Sequence, residues 1–260
     1  MASSDKAAKA RAQAKANMKA QERRTTMMIV LGIVAALAIF GGLVAFIVNQ
    51  NSALEEIGDG ADGSPANSLA SGGIPVGSAG VAGETDDGDP IVVDVYFDFM
   101  CPYCGYFEST NSADLDELRS AGTIQVNYHP ISILDAYSSG TNYSTRAANA
   151  AATVADAAPE YFVAFTEALF NNQPEENSEG LSDEEIAAIA VTVGVPADVA
   201  ETFADYKFRS WVEAATEQSS VDGVSGTPTI FIDGTVLDGS EVNYLQEGEL
   251  ASYLTGLAGE

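Results

Sequence analysis

Cysteine and histidine are almost absent from this sequence. The 260 residues contain two cysteines, Cys101 and Cys104, and one histidine, His129. A structural zinc site needs four nitrogen or sulfur ligands, so this chain could build one only with carboxylates, which are uncommon in such sites. Attachment of c-type haem needs a histidine directly after the second cysteine, and residue 105 is glycine. We therefore expect neither metal nor haem, which leaves the thiols for redox chemistry or a small structural clip.

Basic residues are also scarce, and they are unevenly placed. The chain has 11 lysines and arginines against 38 aspartates and glutamates, a formal net charge of −27. A chain this acidic repels nucleic acid and anionic surfaces, so we expect no nucleic-acid partner. Seven of the 11 basic residues lie within residues 1–26. Such an asymmetry indicates that the two ends of the chain occupy different environments.

A long apolar run follows the basic segment. Residues 27–48, MMIVLGIVAALAIFGGLVAFIV, carry no charge. As a helix they would span about 33 Å, enough for the hydrocarbon core of a bilayer. A cleaved signal peptide is the alternative, but its apolar stretch is usually only about 7–15 residues long. We therefore predict one N-terminal transmembrane helix at 27–48, with residues 1–26 in the cytoplasm and the rest of the chain outside the cell membrane.

The segment after the apolar run shows no hydrophobic periodicity. Residues 49–89 are rich in glycine, serine, alanine and aspartate. This composition is typical of a flexible linker, and a random coil of this length has an end-to-end distance of about 35 Å. We therefore predict a tether between the membrane and a folded domain that covers residues 90–260.

The pattern of residues 90–260 predicts an α/β domain. Runs of β-branched and aromatic residues predict strands, and apolar residues at helical spacing predict helices. In chain order we predict a buried strand at 90–100, a helix that stops at Gly122, a strand at 123–131, several helices at about 143–220, a hairpin at 227–239 that turns at Asp233–Gly234, and a terminal helix.

The two cysteines lie in FDFMCPYCGYF, where the first predicted strand ends and a helix begins. Pro102 suits the first helical position, because its φ is already set and its missing N–H is not needed there. Cys101 is then at the helix N-terminus, where backbone N–H groups and the helix dipole favour a thiolate. Cys104 lies one turn deeper and is shielded. We therefore predict that Cys101 attacks or is attacked and Cys104 resolves the mixed disulfide, whereas a clip across so short a loop would add little stability.

Two stretches resemble a known family. DFMCPYCGYF, together with GVSGTPTIFIDG further along the chain, is similar to the DsbA-like branch of the thioredoxin superfamily, specifically its membrane-anchored bacterial thiol–disulfide oxidoreductases. The resemblance covers about residues 88–260. It implies a thioredoxin fold with an inserted α-helical domain at about 140–220, and a redox-active Cys101–Cys104 disulfide in place of any cofactor.

The resemblance also implies a substrate-binding loop. In the family the proline before the later strand has a cis peptide bond and faces the disulfide. Carried over, Thr227–Pro228 would be cis, and the backbone of Thr227 would pair with an extended segment of substrate. Tyr103, between the cysteines, would face solvent and influence the redox potential through the helix end.

This sequence departs from the family at one position. The family often carries a buried acid six residues before the first cysteine, where this chain has Val95. Strand alternation points Asp94 to the opposite face unless a bulge reverses it, and Asp98 is nearer still. Each is either the accessory acid or a solvated or capping carboxylate, so the acid stays unassigned. His129 is either an accessory group that tunes the thiolate or a packed or surface histidine.

The Pro-Tyr pair between the cysteines and the extracytoplasmic location favour an oxidase. We expect the domain to introduce disulfides into exported proteins that carry cysteine thiols, and a membrane redox partner to reoxidise it. The alternatives are a reductase or isomerase of the same fold, or a non-catalytic peptide-binding module at the cell surface.

Overall fold

A mixed sheet forms the framework of the described part of this chain. The computed structural model describes residues 63–66 and 68–259. The sheet within this part of the chain has five strands in the order β1-β3-β2-β4-β5. They are β1 (Ile74–Val76), β2 (Ile91–Phe97), β3 (Ile124–Pro130), β4 (Thr229–Ile232) and β5 (Thr235–Val236).

Strands β2 and β3 form the parallel centre of the sheet. They are joined by helix α1 (Pro102–Ser120), the crossover that a parallel pair requires. The pairs β1–β3, β2–β4 and β4–β5 are antiparallel. The β4–β5 hairpin turns at Asp233 and Gly234, both with positive φ, as the sequence predicted. The predicted α/β class and the order of its elements are therefore confirmed.

Alternation along β2 gives the sheet two different faces. Val93, Val95 and Phe97 point into the main hydrophobic core, while Tyr96 belongs to a smaller cluster on the other face. This assignment of residues to the two faces follows directly from the sequence IVVDVYF, because successive side chains of a strand point to opposite sides. This division decides which residues can reach the cysteines.

A block of helices separates β3 from β4, as the resemblance implied. Its first helix is rich in alanine and almost wholly buried, so it packs against neighbours on all sides. The block consists of α2 (Tyr143–Ala157), α3 (Phe162–Asn171), α4 (Asp183–Thr192), α5 (Ala197–Ala200) and α6 (Arg209–Val221), with 3₁₀ turns at Asp135–Tyr137, Pro159–Tyr161 and Glu201–Asp205. The last helix, α7 (Glu249–Ala258), contacts α1.

The prediction of a flexible linker as far as residue 89 is wrong for its second part. Residues 74–76 form an edge strand in which Ile74 pairs with Tyr128 and Val76 with Val126. Ile74 and Val76 are fully buried. Arg119 of α1 donates to the carbonyl oxygens of neighbouring Gly77 and Ser78, which fixes this segment to the domain. The composition concealed the strand, because only three apolar residues are needed to complete a sheet edge.

The predicted membrane span lies outside the described residues, as do the basic segment 1–26 and residues 49–62. Within the described part of the chain, no helix has both the length and the hydrophobicity needed to cross a bilayer.

Candidate active site

Cys101 is the N-cap residue of α1, and the helix begins at Pro102. Its backbone is extended (φ −75°, ψ 115°), and its carbonyl oxygen accepts hydrogen bonds from the N–H groups of Cys104 (3.0 Å) and Gly105 (3.2 Å). Both cysteines are free thiols. The exposed fraction is 5% for Cys101 and 1% for Cys104. The pair therefore has an outer and an inner sulfur, as predicted.

The pKa values of the two thiols are shifted in opposite directions. The hydrogen bond from the Cys104 thiol lowers the pKa of Cys101 to about 6, with further help from the Thr227 side chain and the backbone N–H groups of Cys104 and Tyr103. Burial raises the pKa of Cys104 well above its usual value, and neighbouring Cys101 adds to this. At neutral pH Cys101 is therefore a thiolate and Cys104 a thiol. This is the charge distribution expected for an attacking outer sulfur and a resolving inner one.

The loop before β4 completes the site. The Thr227–Pro228 peptide bond is cis, as the resemblance implied. Sγ of Cys101 lies 3.2 Å from the carbonyl oxygen of Thr227, to which the protonated thiol donates. Tyr103 is 64% exposed and faces solvent beside them. Segments that are 126 residues apart in the chain thus meet at the outer sulfur.

Asp98 is fully buried, three residues before Cys101. Its carboxylate accepts hydrogen bonds from the backbone N–H groups of Met100 (2.8 Å) and Leu134 (2.9 Å). Burial raises its pKa to about 7, despite these donors. Asp98 therefore holds the loop before the active-site helix against the segment after β3. The interpretation of Asp98 as a solvated carboxylate is wrong, and it does not cap α1, whose N-cap residue Cys101 has no side-chain capping bond. An accessory role for Asp98 stays a prediction.

His129 is not an accessory residue of the thiol pair. It stacks on Tyr96 with ring centroids 4.0 Å apart, and its Nε2 lies 2.9 Å from Oδ1 of Asp94. His129 pairs in register with Tyr96, so both side chains point to the face away from Val95 and Phe97. The candidate accessory role is thus wrong for a geometric reason, and the alternative of a packed histidine is confirmed.

Gln173 is a site residue that the sequence did not reveal. Its Nε2 donates to the carbonyl oxygens of Phe99 (3.0 Å) and Cys101 (2.8 Å). Its Oε1 lies against Gly105, where a Cβ would approach to 2.3 Å. Gln173 follows α3, so one side chain ties the helical block to the start of the active-site helix. A glutamine in a polar loop carries no pattern that would have predicted this contact.

We expect Gln173→Ala to reduce the free energy of unfolding by about 1–3 kcal/mol, because two hydrogen bonds to the active-site loop are lost. The pKa of Cys101, measured by thiolate absorbance, should also change, since the helix start is no longer held. Asn172→Ala is the matched control, because that exposed amide bonds only within its own helix. A Gln173→Ala protein with unchanged stability and Cys101 pKa would contradict this role.

Comparison with known proteins identifies the family. The family model described as Thioredoxin matches residues 82–247. The chain belongs to the thioredoxin family. This thioredoxin-family protein is also similar to solved thiol–disulfide oxidoreductases of the DsbA type, so the predicted DsbA-like relationship is confirmed.

Two solved structures illustrate the similarity. MdbA of Actinomyces oris, a thiol–disulfide oxidoreductase, is 25% identical, with a TM-score of 0.63 over 76% of this chain and 91% of that one. Oxidised DsbA of Mycobacterium tuberculosis is 29% identical, with a TM-score of 0.59 over 72% and 93% of the two chains. BdbD of Bacillus subtilis, at 20% identity and a TM-score of 0.59, shares the fold.

One relative of this chain is a protein kinase. The serine/threonine-protein kinase PknE of Mycobacterium tuberculosis is 34% identical over 174 residues, which are 64% of this chain. The match covers only 30% of the kinase, so this thioredoxin-family protein corresponds to less than a third of that relative.

Proposed function

We propose that this chain is an extracytoplasmic protein-disulfide oxidase. Thiol–disulfide exchange is the chemistry that the fold, the helix-terminal dithiol and the DsbA-type neighbours support together. The observation that carries the direction is the position of Cys101 at the start of α1, where Cys104, Thr227 and backbone N–H groups lower its pKa to about 6. A stabilised thiolate stabilises the reduced form of the couple, which makes the disulfide a stronger oxidant.

In the proposed reaction, a thiolate of an exported protein attacks Sγ of Cys101 in the disulfide. The Cys101–Cys104 bond breaks, a bond between the substrate and Cys101 forms, and Cys104 leaves with the electron pair. A second substrate thiolate then attacks the substrate sulfur and releases Cys101 as its thiolate. The substrate gains a disulfide and the enzyme is left reduced. Thr227 lies beside the attacked sulfur, so its backbone is the proposed docking edge for an extended substrate segment.

The location and partners are part of the proposal. The uncharged run at 27–48 and the basic residues before it support a single membrane anchor with its N-terminus in the cytoplasm. On this arrangement the domain meets newly exported proteins outside the membrane, and a membrane redox partner restores its disulfide. No cofactor besides the Cys101–Cys104 disulfide enters the proposed cycle.

The redox potential of the full-length chain tests the direction. Thioredoxin has a thiol pKa of about 7 and a potential of about −270 mV, and one pKa unit corresponds to about 30 mV for a two-electron couple. We therefore expect equilibration with glutathione near pH 7 to give a value about 20–30 mV less negative than that of thioredoxin measured alongside. A value equal to that of thioredoxin or more negative would favour the reductase instead.

A further inference from the structure

The inner sulfur needs a partner for its proton. When the disulfide is attacked, Cys104 leaves into a site where only 1% of its surface is exposed, and burial disfavours its thiolate. When the disulfide re-forms, the same sulfur must lose a proton before it can attack. Val95 and Phe97, which point to the same face as Cys104, are apolar and cannot carry a proton.

A small cavity beside Cys104 is lined by carboxyl groups that can carry a proton. Its volume is about 10 Å³, room for about one water molecule, and Cys104, Glu108, Ser112 and Glu167 are among the residues that line it. Glu108 lies four residues after Cys104 on α1, a spacing that places two side chains on one face of a helix, about 5–6 Å apart at Cβ. Glu167 faces them from α3.

A groove lies next to this cavity and shares lining residues with it. Glu108, Ser112, Glu167 and Phe170 also line this groove of about 300 Å³, between α1 and the residues that follow α3. Glu108 is partly buried and thus has the inner thiol on one side and an open groove on the other. A proton carrier between a buried sulfur and bulk water needs this position.

We propose that Glu108 exchanges the proton of Cys104 during disulfide exchange, and that Glu167 is the positioning residue that keeps Glu108 able to do so. The proposal rests on the proposed thiol–disulfide exchange. As the disulfide opens, the Cys104 thiolate takes the proton of the Glu108 carboxylic acid. As it closes on a mixed disulfide, the Glu108 carboxylate takes the proton back, Sγ of Cys104 attacks Sγ of Cys101, and the departing partner leaves as a thiolate.

The acidity of Glu108 suits this exchange. Burial and the negative charge of Glu167 raise its pKa to about 7. The other ionisable groups around it are Asp116 on its own helix and Tyr128 on β3, whose pKa is also raised by burial. Arg119, a cation on the same helix, bonds to Asp116 and to the carbonyl oxygens of Gly77 and Ser78, so it is engaged elsewhere. A carboxyl group that is half ionised near neutral pH can both give and accept a proton.

The test follows one mixed disulfide through its two steps. The reduced full-length chain is mixed with glutathione disulfide between pH 5.5 and 8.5, and acid-quenched samples are analysed by mass spectrometry. In the wild type, resolution of the mixed disulfide by Cys104 should speed up as the pH rises through about 7, because Glu108 must be a carboxylate to accept the proton. In Glu108→Gln we expect resolution to be at least about 10-fold slower with that inflection lost, while formation at Cys101 changes little.

Two further variants make the result specific. Glu117→Gln, an exposed glutamate on the same helix, should behave as the wild type. Glu167→Gln should resolve rapidly but with its inflection at lower pH, because the charge that raises the pKa of Glu108 is gone. Resolution in Glu108→Gln at the wild-type rate and pH profile would overturn the proposal, as would a loss in Glu167→Gln as large as that in Glu108→Gln. The reaction with glutathione disulfide measures resolution by Cys104 whichever way electrons flow in the cell. The redox potential is therefore a separate test of the proposed oxidase function.

Discussion

Cys101→Ser should lose disulfide exchange almost completely, by at least about 10³-fold, whereas Cys104→Ser should keep the first attack and stop there. The reason is the difference between the two sulfurs: Cys101 is the outer one with a pKa of about 6, and Cys104 is buried with a raised pKa. Cys104→Ser should therefore accumulate mixed disulfides with disulfide substrates, because the Cys101 thiolate attacks the substrate disulfide and no second thiol of the chain can release it. Non-reducing electrophoresis and mass spectrometry after an acid quench would show them.

The pair of variants separates the remaining interpretations. Ser120→Ala, an exposed position at the end of the same helix, is the control and should exchange disulfides as the wild type does. Trapped species in Cys101→Ser instead of Cys104→Ser would mean that the assigned roles are reversed. If the double serine variant retained full function in cells, the redox role would fail and the peptide-binding module would remain.

Asp98→Ala should lower the free energy of unfolding by about 2–6 kcal/mol. It leaves the backbone N–H groups of Met100 and Leu134 without their acceptor, at about 1–3 kcal/mol for each buried donor. Asp98→Asn should lie between this variant and the wild type, because an amide has one acceptor oxygen where the carboxylate has two. Denaturant unfolding of the three proteins measures the series, with exposed Asp205→Ala as the control. Equal stability of the alanine variant and the wild type would contradict the role.

The pH dependence of the free energy of unfolding is a second test of the buried carboxyl group of Asp98. Burial raises the pKa of Asp98 to about 7 in the folded chain, above its ordinary value of 3.8. Between these values the folded state binds a proton that the unfolded state has lost, so this carboxyl makes the folded chain less stable as the pH rises from about 4 to 7. Above about pH 7 its contribution is constant. The stability difference between wild type and Asp98→Asn should therefore change across this window, and a difference independent of pH would show that Asp98 is not buried as an acid.

Local sequence was sufficient for the elements that carry the chemistry. A β-branched run followed by a cysteine and a proline predicted the strand–helix junction, because both preferences act within a few residues. The cis bond at Thr227–Pro228 came from the resemblance, and the structure agrees. The parity of β2 already separated Asp94 from Val95. The alternation along β2 did not show which face of the sheet His129 occupies. That face depends on the parallel pairing of β3 with β2, which the sequence of neither strand specifies.

The residues around the cysteines were decided by tertiary contacts. Ile74–Val76 became a strand because β3 offered an edge to pair with, so composition alone suggested a linker. Asp98 is buried because the segment at Leu134 folds over it.

By itself, then, the sequence determined a helix-terminal dithiol and the different roles of its two sulfurs, because the N-cap position and the proline act on adjacent residues. Only the tertiary structure decided what surrounds those sulfurs. Gln173 and Glu167 reach the site from a helical block more than 60 residues further along the chain. The physical reason is that hydrogen-bond partners and burial depend on which distant segments pack together, which no local pattern records.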